Sequence, residues 1–273
     1  MRAATRSFDL KHQTGFKAVT YICFFVLYAP ILVLIFFSFN ESRSVTLWTQ
    51  FSLDWYGRAL ENEGIQRATV TSLEVALTAT FFSTIFATMS ALATTRVKYF
   101  PGMTAAYATI NMPLMVPEIV TAVATLTFFS LLKTQLGIHF GLGNLIIAHT
   151  VFCVPFAYMP IRARLEDMDL TLEHAAADLY ASPWRVFRRV TLPRLVPGIL
   201  AGGMLAFIVS LDDVIITLLV AGPGETTLPL FILGQIRRGV TPEVNAISTI
   251  LLVVSISFVT LFFLVGRRGK KNR

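Results

Sequence analysis

Four carboxylates stand inside or at the rims of long apolar runs: Glu74, Glu118, Asp212 and Asp213. An aspartate at the centre of a membrane-spanning helix costs roughly 2.5–3.5 kcal/mol on insertion, so such residues are kept for a reason. No lysine or arginine falls within the same runs to pair with them. Acids placed in this way either bind a proton or face a polar cavity where a cation meets them, which marks a substrate or ion pathway. Glu118 follows Pro117 directly, where a helix must break, and is expected to face a cavity. Asp212 and Asp213 come late in their apolar run, and Glu74 sits near an outer end. An acid at such a place also reaches the headgroup layer or caps nearby backbone. That plainer role stays open for all four, most strongly for Glu74. Trp48, Trp55 and Tyr56 could hold ammonium groups by cation–π contact, with an interfacial aromatic belt as the competing explanation.

A second group of residues lies between two apolar runs. The stretch from Glu173 to Pro193 carries Glu173, Asp178, Arg185, Arg188 and Arg189, which lipid would not tolerate, so it is expected in water. It reads as two short helices back to back. Thr171 is placed to cap the first and Ser182 the second, with Pro183 at the favoured first helical position.

The elements that must position both groups are membrane helices. The chain has 273 residues, 55% hydrophobic, and a mean hydropathy of +0.67, which fits a polytopic membrane protein. Six spans are predicted, at about 18–39, 68–94, 103–132, 144–161, 195–220 and 245–265, each near or above the ~20 residues that cross the hydrocarbon as a helix. The third and fifth are long and are expected to tilt or break. The third contains Asn111, Pro113 and Pro117. The fifth contains Gly202 and Gly203, read as a close helix contact. Short surface helices are expected around Asp54–Leu60 and from Leu228 to Arg237.

With the N-terminus inside, 17 of the 23 lysines and arginines fall on the inner segments, leaving Arg43, Arg58, Arg67, Lys133, Arg237 and Arg238 outside. Both termini are therefore expected in the cytoplasm. The layout is a tail over 1–17, a six-span domain over 18–265 with a cytoplasmic loop at about 162–194, and a basic tail over 266–273. The net charge of +7 follows from this asymmetry, and no nucleic-acid partner is expected. Cys23 and Cys153 fall in spans as small apolar residues, not as a disulfide. His12, His139, His149 and His174 have no metal-ligand spacing, and His149 reads as packed or hydrogen-bonded. No Gly-Lys-Ser/Thr phosphate loop, nucleophile elbow or zinc-protease helix occurs. An enzyme is a poor reading, and no cofactor is expected.

Residues 172–193 resemble the cytoplasmic loop by which ABC importer permeases dock onto their ATPase, a pattern of Glu-Ala-Ala, then Gly, then Leu-Pro. Asp178-Leu179 and Thr191-Leu192-Pro193 match in register. His174-Ala175-Ala176 then fall on the Glu-Ala-Ala and Tyr180 on the Gly, two departures, with Glu173 one residue early. Residues 181–193 fit closely. Met115–Val120, Ser210–Val214, Thr227–Leu230 and Arg238–Ala246 are similar to stretches of spermidine/putrescine importer permeases, above all the second, C-type subunit.

The resemblance implies an all-α type I importer permease of the bacterial inner membrane. It would pair with a second permease in a heterodimer, two ATP-binding subunits and an external substrate-binding protein. Glu118, Asp212 and Asp213 would line the polyamine route, with Trp48 and Glu74 as further candidates. Glu173, His174, Ala175, Ala176, Asp178, Leu179, Tyr180, Ser182, Pro183, Arg185 and Arg188 would couple to the ATPase. The same machine carrying an amino-acid derivative, a phosphonate or a metal chelate is the alternative. A proton-coupled carrier without an ATPase, or a membrane scaffold, is a more distant one.

Overall fold

The computed structural model describes residues 14–42, 47–97, 100–239 and 241–271, without the side chains of 14, 261–263 and 265–271. In order the helices are α1 (Thr14–Ser38), α2 (Asp54–Glu61), α3 (Glu63–Thr95), α4 (Met103–Met115), α5 (Glu118–Leu136) and α6 (Leu142–Glu166). Then follow α7 (Thr171–Asp178), α8 (Pro183–Val186), a π-helical segment (Phe187–Thr191), α9 (Leu192–Asp212), α10 (Ile215–Val220), α11 (Leu228–Arg238) and α12 (Pro242–Lys271). Among the described residues the only β pairing is an isolated antiparallel bridge, Asn40 to Phe51. Six helices or helical runs are long and apolar enough to cross a membrane.

The chain forms two compact units. One holds α1, α2 and the segment Ile236–Leu251; the other runs from Asn62 to Gln235 and resumes at Leu252. In the first, the chain after α1 folds back on itself. The Asn40 side chain donates to Leu47 O (2.8 Å) and accepts from the Thr49 N–H (3.0 Å), and Asn40 O accepts from Trp55 Nε1 (2.9 Å). The expected helix at Asp54 is present as α2.

In the second unit α3, α6 and α9 pack through small residues. Ala76, Ala79, Ala87 and Ala91 on α3 and Ala157 on α6 are fully buried. A Cβ built on Gly202 would come 2.5 Å from the Ala157 carbonyl oxygen, and one on Gly198 would come 2.6 Å from Arg164 Cβ. The pair Gly202–Gly203 therefore does what close packing in lipid requires. Tyr158 and Tyr107 converge on the end of α3: the Tyr158 hydroxyl lies 2.9 Å from Thr94 Oγ1 and the Tyr107 hydroxyl donates to Thr94 O (3.0 Å). The Arg162 guanidinium sits 4.6 Å from the Tyr107 ring centre.

The third predicted span divides. α4 ends at Met115, Val116 and Pro117 are extended, and α5 starts at Glu118. Pro117 supplies no N–H and disfavours helical geometry at Val116, which explains the stop. The fifth differs from its predicted bounds of 195–220. Its helix runs unbroken from Pro183 to Asp212, and α10 follows after a break at Asp213 and Val214.

The docking stretch is thus not two separate helices. α8 merges into the fifth span because the π segment lets the Leu192 N–H bond Phe187 O five residues back. This widened turn accommodates Pro193 without a break. Thr171 does not cap α7 either. It is the first helical residue, and Asp169 accepts from its N–H (2.9 Å) and hydroxyl (2.5 Å), which holds Asp169 below the usual carboxylate range. Ser182 occupies the N-cap position of α8 in extended geometry, with Pro183 after it, but its hydroxyl makes no cap bond.

α7 closes with paired bonds, from Tyr180 N to Ala177 O (2.9 Å) and from Ala181 N to Ala176 O (3.2 Å). These are the two bonds of a Schellman turn, whose penultimate position wants a left-handed residue. Tyr180 fills it with φ 57°. That accounts for glycine in the pattern that this stretch resembles, because a side chain there costs about 1–2 kcal/mol. We expect Tyr180→Gly to stabilise the turn, slowing amide hydrogen exchange across α7 by roughly fivefold. Gly202→Val should lower folded yield and cost about 1–3 kcal/mol in detergent unfolding, since its Cβ has no room.

Candidate functional site

The breaks in the third and fifth spans bring polar groups together. Asp213 stands just after α9 in extended geometry, and its carboxylate turns onto the start of α10. It accepts from the Thr217 N–H (3.0 Å) and hydroxyl (3.2 Å), and from the Ile216 N–H (3.4 Å). His149 of α6 completes the cluster. Its Nε2 lies 3.5 Å from Asp213 Oδ1 and 3.2 Å from Thr217 Oγ1, and its Nδ1 lies 2.9 Å from Ser210 Oγ. His149 is wholly buried and Asp213 nearly so. Glu118, the first residue of α5 and half-buried, has its carboxyl within hydrogen-bonding reach of Asp213.

Asp213 is therefore not the unpartnered acid that the absence of nearby Lys and Arg suggests. The N–H groups of Ile216 and Thr217 and the Thr217 hydroxyl satisfy it and hold it at the break, with the His149 ring packed beside it. Glu118 is the more accessible member. Two carboxyl groups in contact, one fixed and one half-exposed, favour a cation between them. Among the described residues no group of three or more His, Cys, Asp and Glu could hold a metal ion.

The other predicted pathway residues lie elsewhere. Asp212 and Glu74 are exposed, Asp212 at the last turn of α9 and Glu74 on α3. Trp48 belongs to the first unit and stacks on Phe36, with ring centres 4.3 Å apart. His149 is the participant that sequence reading left as merely packed or hydrogen-bonded. Its one signal was a titratable side chain in an otherwise apolar run.

The docking stretch presents a second surface. His174, Ala175, Asp178, Ser182, Pro183, Arg185 and Arg188 are exposed. Leu179 is 82% exposed, Tyr180 97% and Trp184 68%, an apolar patch on the turn between α7 and α8. Glu173 is only 19% exposed and behaves differently. It accepts from the Thr191 hydroxyl (3.1 Å) and pairs with Arg96 at 3.6 Å, tying α7 to the π segment and to the end of α3.

Comparison with known proteins agrees with this architecture. Residues 83–268 match the model of the binding-protein-dependent transport system inner membrane component family. The chain is 38% identical over 252 residues to the putrescine transport system permease protein PotI of Escherichia coli K12, covering 91% of this chain and 90% of the relative. It is 36% identical over 253 residues to the spermidine/putrescine transport system permease protein PotC of Haemophilus influenzae, covering 93% and 96%. A crystal structure of a bacterial alginate ABC transporter, in complex with its alginate pentasaccharide-bound periplasmic protein, superposes with a TM-score of 0.74 over 93% of each chain at 18% identity. The chain belongs to the family of binding-protein-dependent transport system inner membrane components, as a six-span permease.

Proposed function

We propose that this chain is one of two permeases in an ATP-driven importer of polyamines, putrescine or spermidine. The single observation that carries the substrate class is the contact between Glu118 and Asp213 where two spans break. Polyamines carry several ammonium groups, and a carboxyl pair in a low-dielectric setting attracts such cations and disfavours anions. The names of the relatives support the same class. Asp212 and Glu74 are further acids for the route, and Trp48 a further cation–π face. The alternative solutes, an amino-acid derivative or a metal chelate, lack a feature of this site that favours them, and a phosphonate is opposed by its charge.

In this reading both termini are cytoplasmic. An external binding protein delivers the solute, and the chain needs no cofactor of its own because ATP is held by two partner subunits. The exposed Leu179–Tyr180–Trp184 patch offers those subunits a docking surface, since an apolar patch left open on one chain marks a place that a partner covers. Closure of the ATPase pair would move α7, and Glu173 would pass that motion through Thr191 and Arg96 to the fifth and second spans. Ligand and nucleotide then bias a two-state rocking of packed helices.

Cells lacking the gene should lose uptake of labelled putrescine or spermidine and regain it with the wild-type chain. Glu118→Gln and Asp213→Asn should each leave uptake at least about tenfold lower at matched expression, as expected for loss of a charge-assisted bond of ~1.5–3 kcal/mol. Uptake unchanged in the deletion, with no redundant system operating, would remove the polyamine assignment but leave the permease. Tyr180→Glu combined with Trp184→Glu should abolish co-purification of the ATP-binding subunit, whereas a stand-alone carrier would show no such subunit to lose.

A further inference from the structure

The second unit carries an apolar groove of about 550 Å³ along α3 and α9, walled by Leu77, Phe81, Ile85, Met89, Ile199 and Phe207 among others. It adjoins a smaller cavity of about 340 Å³ beneath the docking stretch. Leu92 and Phe187 line both. The large cavity is oily over its whole length, whereas the small one has Arg96, Glu173 and Thr191 in its wall. A ligand that used both would have a long apolar tail and a polar head.

The polar end specifies the head. Arg96 Nε and Nη2 are buried and have no hydrogen-bond acceptor; Glu173 reaches Nη2 only at ion-pair distance, 3.6 Å. Buried guanidinium donors without acceptors are costly, and phosphate oxygens match their fork geometry. A simple anion would also meet the Glu173 carboxylate, which opposes it. A headgroup bearing a phosphate and a primary ammonium meets both groups, the phosphate on Arg96 and the ammonium on Glu173. A quaternary choline nitrogen has no N–H to give, and glycerol has no positive charge.

The apolar end sets the tail. From Leu77 to Leu92 the groove follows α3 for roughly 22 Å at ~1.5 Å per residue. One leaflet of the bilayer contains about 15 Å of hydrocarbon, so the groove accommodates an acyl chain with some tilt. We propose that one phospholipid with a phosphoethanolamine headgroup occupies these joined cavities, its chain along α3 and α9 and its head in the small cavity against the Arg96 and Glu173 side chains. The lipid then sits against the Glu173 link between α7 and the second span, where its presence stiffens the docking stretch.

The test is native mass spectrometry of the assembled, detergent-purified transporter, offered phosphatidylethanolamine, phosphatidylglycerol and phosphatidylcholine with identical chains. Wild type should retain one phosphatidylethanolamine roughly fivefold better than either other lipid. Arg96→Gln should lower that retention by a similar factor, while Arg96→Lys keeps most of it. Glu173→Gln should erase the preference for phosphatidylethanolamine over phosphatidylglycerol. Gly203→Leu, where even a Cβ would come 3.3 Å from Thr84 Oγ1, should reduce retention of all three. The same spectra report whether each variant assembles.

Three results would overturn the proposal. One is equal retention of the three lipids, or retention indifferent to Arg96→Gln. Another is displacement by chain-free glycerophosphoethanolamine at equal concentration, which would make the site a headgroup pocket alone. The third is a wild-type complex that retains no lipid. That is the outcome if a partner subunit's helix fills the groove, bonding the Thr80 and Thr84 hydroxyls, which have no partner here.

Discussion

Backbone that leaves a helix within hydrocarbon must find its hydrogen bonds inside the protein, and this constraint shapes the site more than any other. The chain leaves helical geometry twice within predicted spans, at Val116–Pro117 and at Asp213–Val214. At the second break the freed N–H groups of Ile216 and Thr217 go to the Asp213 carboxylate. The acid is a structural member before it is anything else. His149, reaching across from α6, shares Oδ1 with Thr217 and anchors to Ser210. Cap and buried acid thus coincide in one carboxylate, and in the proposed function the same group faces the route for cations.

The division of labour between the two contacting acids follows from their burial. Asp213 is fixed by three donors and cannot move far, whereas Glu118 begins a helix and is half-exposed. In the proposed route, a solute ammonium arriving at Glu118 would meet a half-exposed carboxylate whose neighbour is held in place. Such a site binds through charge without a deep cage, which suits release into the cell after a change of conformation. Removing Asp213 would therefore disturb the break as well as the charge, while Glu118 offers a cleaner removal of charge. The pairing of Glu118→Gln with Asp213→Asn separates those effects.

Much of this was legible in the residues. The apolar runs announced six spans, though the third and fifth differ from their predicted bounds, and Asp54 and Leu228 open the two surface helices where their patterns placed them. Pro117 announced the first break, and of the four acids Glu118 and Asp213 meet where the spans break while Glu74 and Asp212 are exposed. What escaped was whatever depended on contacts distant in sequence or on small changes of helical winding. The His149 bonds to Ser210 and Thr217 join residues 61 and 68 positions apart, which no local pattern encodes. The π segment depends on how Pro193 is absorbed, and a proline alone does not say whether a helix stops or widens. Thr171 does not cap α7 because the helix starts one residue earlier than that role requires: Leu170 takes the N-cap position, and Asp169 accepts from both the Thr171 N–H and its hydroxyl.

The docking stretch shows why departures from a pattern need geometry before they are judged. Tyr180 stands where the pattern has glycine, and it still completes both bonds of the turn, at the expense of a left-handed backbone. Its side chain, displaced from the helix by that φ, is 97% exposed and joins Leu179 and Trp184. The strain is local, and the apolar surface gained lies where a partner would make contact. His174 takes the place of the pattern's glutamate and is exposed, while the acid one residue earlier, Glu173, turns inward to Arg96 and Thr191. One residue of helix rotates a side chain by about 100°. With the acid one position back, it meets Arg96 at the end of the second span and Thr191 at the start of the fifth, and the outward face is left to an imidazole.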